Sequence, residues 1–209
     1  MSMNKIIHGA VRRDLARLRA ALADLDEDDR GRAADLQRAF IHLDGQLTSH
    51  HEGEHEIAWP ALTALGVDPD LITRFDQEHE AMSAALAETR VAMSALAASA
   101  GTKEIEGAVA AAERLETVTC AHLDHEESET EPVFHSRYDD PALVAMVKKF
   151  RGHQSIGVTG AMLAWLQDGA GPEERAGLRD NVPAPVVTIV GGLFGRRYRR
   201  EIAPVWARR

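Results

Sequence analysis

Two segments of this sequence pair a histidine with a glutamate four residues later. The first pair is His50 and Glu54, the second is His122 and Glu126, and the two pairs lie 72 residues apart. Residues four apart lie on one face of a helix. Imidazole nitrogens and carboxylate oxygens both bind metal ions. Each pair could therefore hold a metal ion from one helix, and two such helices could enclose a single site.

Four long segments of the chain have the apolar spacing of helices that pack in a bundle. Their approximate ranges are 4–24, 32–59, 68–101 and 102–130, and apolar residues recur in each at steps of three and four. Strand signals are scarce, whereas Ala, Leu, Glu and Arg are abundant. The sequence predicts an all-α fold, an up-and-down four-helix bundle with additional C-terminal helices.

The histidine–glutamate pairs continue the apolar seams of the second and fourth segments, near their ends. His8 and His79 lie on the seams of the first and third segments, near their starts, and are 71 residues apart. In an up-and-down bundle these starts and ends share one layer, so a duplicated helical hairpin would bring one ligand set from each half together. A buried glutamate is costly unless it is paired or binds metal. The predicted metal ligands are His8, His50, Glu54, His79, His122 and Glu126.

This ligand order resembles the hemerythrin-like, or HHE cation-binding, family over about residues 4–135, in its bacterial form. The resemblance implies a non-haem di-iron centre, with terminal histidines and two bridging carboxylates. Oxygen-carrying members have a second histidine four residues after the third-helix ligand, where this chain has Ser83. They also place an aspartate five residues after the fourth-helix histidine, where this chain has Glu127. We favour Glu126 as the ligand because it matches Glu54.

Two other metal sites fit the sequence less well. A ferritin-like site needs two Glu-x-x-His pairs and two further glutamates; Glu52 and His55 form one pair, but the second half contains no equivalent. Zinc prefers four tetrahedral ligands, whereas six histidine and carboxylate ligands suit paired octahedral irons. We therefore expect two iron ions, bridged by an oxo or hydroxo group.

The expected ligand count bears on function. Four histidines, two bridging carboxylates and a bridging oxygen leave roughly two of about twelve coordination positions open. Two adjacent open positions favour reaction with peroxide, in a catalase- or peroxidase-like manner, and a role in oxidative or nitrosative stress. Water, His51 or Tyr198 could instead fill a position. The alternative function is binding or sensing of dioxygen, nitric oxide or iron without turnover.

Composition limits the remaining possibilities. The 209 residues are 44% hydrophobic, contain one cysteine, Cys120, and carry a net charge of −9. These features predict one full core without an internal disulfide, and they argue against nucleic acid as the main partner. The sequence has neither a membrane-spanning run nor a signal-peptide core, which suits a cytoplasmic protein.

The sequence after the bundle is less informative. We divide the chain into a di-iron bundle at residues 1–135 and a helical extension at residues 136–209 that packs on it. The extension should begin with one helix running to about Gln167, with His153 packing near its apolar side, and the basic run at 196–200 should be solvated. It could cover the bundle, form a homodimer contact or bind a protein partner. Outside the ligand set, we expect His42 and His55 to be flanking or solvated.

Overall fold

The computed structural model describes residues 1–153 and 155–207, apart from the side chain of His153, so the prediction for that residue lies outside the described part. All regular structure in this part is helical. The bundle consists of α1 (Met3–Ala23), α2 (Arg30–Gly53), α3 (Trp59–Ala64), α4 (Pro69–Ser99) and α5 (Thr102–Ser136). The predicted all-α, up-and-down bundle with additional C-terminal helices is therefore confirmed.

Local sequence determines where the bundle helices begin and end. The Ser2 side chain accepts a hydrogen bond from the Lys5 amide at the start of α1. Asp68 caps α4 in the same way, and Pro69 follows as its first residue. These are favourable N-terminal arrangements, because they satisfy free amides or remove one. Ala100, in the left-handed conformation with φ 55°, separates α4 from α5.

The apolar seams form one continuous core between the four long helices. Its members at the end of the bundle remote from the histidine–glutamate pairs are fully buried leucines and other apolar residues. They include Leu15, Leu18, Leu22, Leu36, Phe40, Met93, Leu96 and Leu115. This half of the bundle has the usual composition of a packed interior.

A π-helical turn, Glu54–Ala58, joins α2 to α3. The amide of Trp59 donates to the carbonyl of Glu54, five residues back. The second helix, predicted to end at about residue 59, continues along a helical path to Ala64. Pro60 lies in the first turn of α3, where a missing amide hydrogen is tolerated.

The extension contains α6 (Pro141–His153), α7 (Ile156–Gln167), α8 (Pro172–Asn181), α9 (Gly191–Phe194) and α10 (Ala203–Ala207). π-Helical turns precede α9 at Val186–Val190 and α10 at Tyr198–Ile202. The single helix predicted to run to Gln167 was wrong. Ser155 accepts a hydrogen bond from the Val158 amide and so begins a separate helix, α7. No helix in the described part is long and apolar enough to cross a bilayer.

The extension contacts the bundle through a buried polar cluster centred on Asp14. Trp165 Nε1 donates to Asp14 Oδ2 at 2.8 Å, and the Tyr198 hydroxyl donates to Asp168 Oδ2 at 2.8 Å. His42 packs against the rings of Trp165 and Tyr198, at centroid distances of 6.1 and 5.0 Å. His42 therefore lies beside the seam, as one of the two expectations had it, but the extension covers it and it is not solvated; burial lowers its pKa to about 4. Tyr198 is likewise buried within the run that we expected to be solvated.

Candidate metal centre

The six predicted ligands lie in one layer, at the end of the bundle where α1 and α4 begin and α2 and α5 end. His8 comes from α1, His79 from α4, and His122 and Glu126 from α5. His50 lies in the last turn of α2, and Glu54 opens the π-helical turn. Glu54, Glu126 and His122 are no more than 2% exposed. Charged groups this deeply buried require partners.

Two groups of possible ligand atoms occupy this layer. One contains His8, His50, Glu54 and Glu126, and the other contains His51, Glu54, His79 and His122. Within each group the candidate atoms lie within 4.8 Å of one another. Glu54 belongs to both groups, so its two oxygens could connect two metal ions.

The histidine nitrogens converge on the two carboxylates. Glu54 Oε1 lies 3.0 Å from His50 Nε2, and Glu54 Oε2 lies 3.5 Å from His79 Nε2. Glu126 Oε2 lies 3.3 Å from His8 Nε2 and 3.8 Å from His122 Nε2. Each glutamate thus lies between one histidine of the first group and one of the second.

The outer nitrogens of two histidines have carboxylate partners. His8 Nδ1 lies 3.0 Å from Glu127 Oε1, and His122 Nδ1 lies 2.8 Å from Glu78 Oε2. Arg12 donates to the same Glu127 oxygen at 2.6 Å. A proton on Nδ1 that is held by a carboxylate leaves the Nε2 lone pair directed into the layer. Glu127 and Glu78 therefore favour the tautomer that can bind metal.

The layer combines strongly shifted pKa values in both directions. Burial, together with neighbouring positive charge, lowers the pKa of His50 and of His79 to about 3. Burial also lowers the pKa of His8, but the nearby carboxylates of Glu126 and Glu127 outweigh it and raise the value to about 9. Burial and the charge of Glu126 raise the pKa of Glu54. In the absence of metal, a proton on His8 thus offsets carboxylate charge, while other imidazoles stay neutral.

Unpartnered buried atoms provide a test of whether this layer suits a metal. Both oxygens of Glu54, Oε2 of Glu126 and Nε2 of His51 are buried and make no hydrogen bond with the described residues. His8 Nε2 and His50 Nε2 approach within 3.0 Å, as do His79 Nε2 and His122 Nε2. Buried carboxylate oxygens and an imidazole nitrogen without partners are costly unless a cation binds them. The mixed nitrogen and oxygen donors fit a divalent or trivalent transition metal.

A family comparison agrees with this arrangement. The hemerythrin HHE cation-binding domain matches residues 5–134, more than half of the chain. The chain belongs to the hemerythrin HHE cation-binding family. Searches of curated proteins and of solved structures found no match.

The hemerythrin domain binds a metal cofactor. The structure also shows where the positions that differ from the oxygen carriers lie. Ser83, in the place of the carriers' extra histidine, is exposed on α4, whereas the neighbouring Met82 is buried. His51 instead stacks on His79, with ring centroids 4.1 Å apart. Glu126 belongs to a ligand group, whereas Glu127 lies behind His8.

Several residues of the hemerythrin centre were missed or only partly found from the sequence. His51 was named as one group that could fill an open position, but it was not included in the predicted set. Glu78 and Asn4 were not considered; Asn4 Nδ2 donates to Glu126 Oε1 at 2.9 Å. No spacing rule indicates these two, because each acts on a ligand from another helix. Of the off-seam histidines, His55 is exposed, as expected.

Proposed function

We propose that this hemerythrin-family protein holds two iron ions and binds a small oxidant, such as dioxygen, peroxide or nitric oxide, at the centre. The observation that carries the proposal is the pair of four-residue ligand groups that share Glu54. One iron would bind His8 and His50, and the other would bind His51, His79 and His122. Glu54 and Glu126 would bridge the pair.

Inclusion of His51 changes the coordination count. Five histidines, two bridging carboxylates and a bridging oxygen leave roughly one of about twelve positions open, instead of roughly two. One open position suits end-on binding of a single small molecule. Reversible binding or sensing, the alternative function in the sequence analysis, therefore becomes the better-supported function.

The surroundings of the centre favour a ligand of this size. The ring of Trp59 stacks on His79 at 5.7 Å, and the edge of Phe75 approaches His122 at 6.0 Å. Two open surface clefts in the described part are lined by residues outside the centre. The apolar rings would exclude water, and a molecule of a few atoms fits this setting better than an organic substrate.

When bound, the irons would supply reversible redox chemistry and an open coordination position. The remaining tasks fall to the chain. Glu127 and Glu78 hold the protons on the outer nitrogens of His8 and His122, which keeps both Nε2 lone pairs available. Asn4 orients Glu126 through its amide hydrogen bond.

Peroxide turnover is the second candidate, and one observation favours it. Helix α4 contributes a single candidate ligand, His79, because the following helical position, Ser83, is exposed. If His51 stayed unbound, two adjacent positions would be open, as in the original count. A role in oxidative or nitrosative stress and a cytoplasmic location would fit either function.

Metal analysis combined with optical spectroscopy tests the proposal. We expect about two irons per chain and less iron after Glu54→Ala or Glu126→Ala. The exposed His55 provides the matched control, since His55→Ala should retain the metal. Full iron content in both glutamate variants would contradict the assignment.

A second comparison separates binding from turnover. The wild-type protein should show reversible spectral changes with dioxygen or nitric oxide and evolve little oxygen from peroxide. His51→Ala, by opening a position, should increase oxygen evolution. Rapid peroxide breakdown by the wild type, unchanged in His51→Ala, would favour the enzyme.

A further inference from the structure

The sequence divides into two parts of opposite charge. Residues 1–135 contain 12 Lys and Arg against 26 Asp and Glu, whereas residues 136–209 contain 12 against 7. The acidic total thus conceals a basic extension. A basic segment attached to an acidic domain favours attraction to anionic partners.

Exposed apolar side chains are concentrated in the same basic part. Of the twelve exposed large hydrophobic residues in the described part, nine follow residue 137. The bundle contributes only Met1, Ile41 and Val91. Isolated exposed apolar residues are ordinary, but a concentration of them marks an interaction surface.

Four exposed residues, two apolar and two basic, lie along one side of the last helical segment. They are Ile189, Leu193, Arg196 and Arg200, which recur three or four positions apart, and we call them the tail stripe. Ile189 is 59% exposed and Leu193 is 51% exposed. The first half of the tail stripe is apolar and the second half is basic.

The opposite side of this helical segment packs against the rest of the protein, so the tail stripe faces solvent. A Cβ atom at Gly191 would lie 3.3 Å from Cβ of Leu163 in α7, and Gly195 packs directly on Ala164. Tyr198, Ile202 and Val205 continue the buried side. Small residues allow this close helix contact, which presents the tail stripe on a supported surface.

Neighbouring arginines are engaged within the protein, whereas those of the stripe are available. Arg199 donates to the carbonyls of Gly191 and Gly192, and Arg197 pairs with Glu201 at 2.9 Å. Within residues 1–153 and 155–207, the side chains of Arg196 and Arg200 make no hydrogen bond or ion pair. Their charges are therefore free to meet an external anion.

We propose that the tail stripe docks the protein on an anionic phospholipid surface, with Ile189 and Leu193 entering the headgroup boundary and Arg196 and Arg200 meeting lipid phosphates. A bilayer surface offers anionic and apolar partners together. Nucleic acid would leave the apolar half unused. A second copy's acidic bundle would offer charge, but its few exposed apolar residues are scattered.

Vesicle sedimentation with the iron-loaded, full-length protein tests this proposal. The protein should sediment with vesicles of phosphatidylglycerol and phosphatidylcholine, but not with phosphatidylcholine alone, and added salt should weaken the binding. Arg196→Gln and Arg200→Gln should each weaken binding about fivefold. Leu193→Gln should weaken it about tenfold.

Matched controls come from exposed residues of α4. Arg74→Gln and Val91→Gln make the same chemical changes on the bundle and should leave vesicle binding unchanged. Equal binding to the two vesicle types, or equal losses in the control variants, would overturn the proposal. The proposal would also be overturned if the protein did not bind vesicles and instead used the tail stripe to self-associate or to bind duplex DNA.

Discussion

Asn4 in the first turn of α1 donates a hydrogen bond of 2.9 Å to Oε1 of Glu126 in α5. This contact leaves Oε2 of Glu126 facing His8 and His122. The side-chain amide of Asn4 thus orients the carboxylate of Glu126, which lies 122 residues further along the chain. The ligand layer therefore depends on residues that do not bind metal themselves.

Asn4→Leu should weaken metal binding without preventing folding. Loss of a partner that orients a ligand commonly lowers metal affinity by about 10- to 100-fold. Competition against a coloured chelator would measure the change. Arg19→Ala provides a control on the same helix, since Arg19 pairs with Glu116; equal affinities in the two variants would remove the role of Asn4.

Glu126 and Glu127 should differ in their effects although they are adjacent. Glu126→Gln should remove most bound metal, because it replaces the carboxylate proposed to bridge the two ions. Glu127→Gln should retain metal at reduced affinity, because an amide oxygen can still accept the His8 Nδ1 hydrogen bond. Iron content at increasing chelator concentration distinguishes them, and a reversed order would identify Glu127 as the ligand.

His42 should make the protein less stable in mild acid. Burial lowers its pKa to about 4, so below pH 6.5 the unfolded chain binds a proton that the folded protein excludes. The contribution of neutral His42 to stability is complete above pH 6.5 and is lost as the pH falls through 4, by about 3 kcal/mol in total. Metal-free His42→Leu should lose less stability between pH 7 and pH 5 than the metal-free wild type.

Urea unfolding at the two pH values measures this effect. His55→Leu removes an exposed histidine and provides the comparison. If His42→Leu and the wild type lost equal stability, the contact of His42 with Trp165 and Tyr198 would have no part in acid sensitivity.

Asp14 should contribute strongly to the contact between the extension and the bundle. It accepts hydrogen bonds from Trp165, Arg13 and Arg17, and it is fully buried. Asp14→Ala would leave buried donors unpaired and should destabilise the fold by roughly 3–5 kcal/mol. Asp44→Ala, which breaks the surface pair with Arg90, should cost less than about 1 kcal/mol. Thermal unfolding monitored by tryptophan fluorescence compares them.

The sequence predicted the elements that follow a regular period. Leu36, Leu43 and Leu47 lead directly to His50 because one helical repeat continues through them, and the same applies on α5 up to His122. The layer of six residues followed from these repeats and from helix direction alone. The confirmed bundle could therefore be predicted from the local spacing of apolar residues.

Features that break the period, or that join distant helices, escaped prediction. The π-helical turn shifts the helical phase after Glu54, and the second helix, predicted to end at about residue 59, continues to Ala64. Glu78 meets His122 only because α4 and α5 pack in a particular register. His42 is covered by residues more than 120 positions away, and nothing near it in sequence indicates that contact.

The placement of all candidate ligands at one end gives the bundle two halves of different character. The remote half contains leucines such as Leu18, Leu22 and Leu96, which need no ion to pack. In the ligand half, release of the metal would remove the metal-mediated contacts between helices. Amide hydrogen exchange after chelation should therefore accelerate near His8 and His122 while remaining slow around Leu22 and Leu96. Metal release would therefore destabilise the ligand end of the bundle while the leucine end stays packed. The protein would then pass through a partly unfolded intermediate before it unfolds completely.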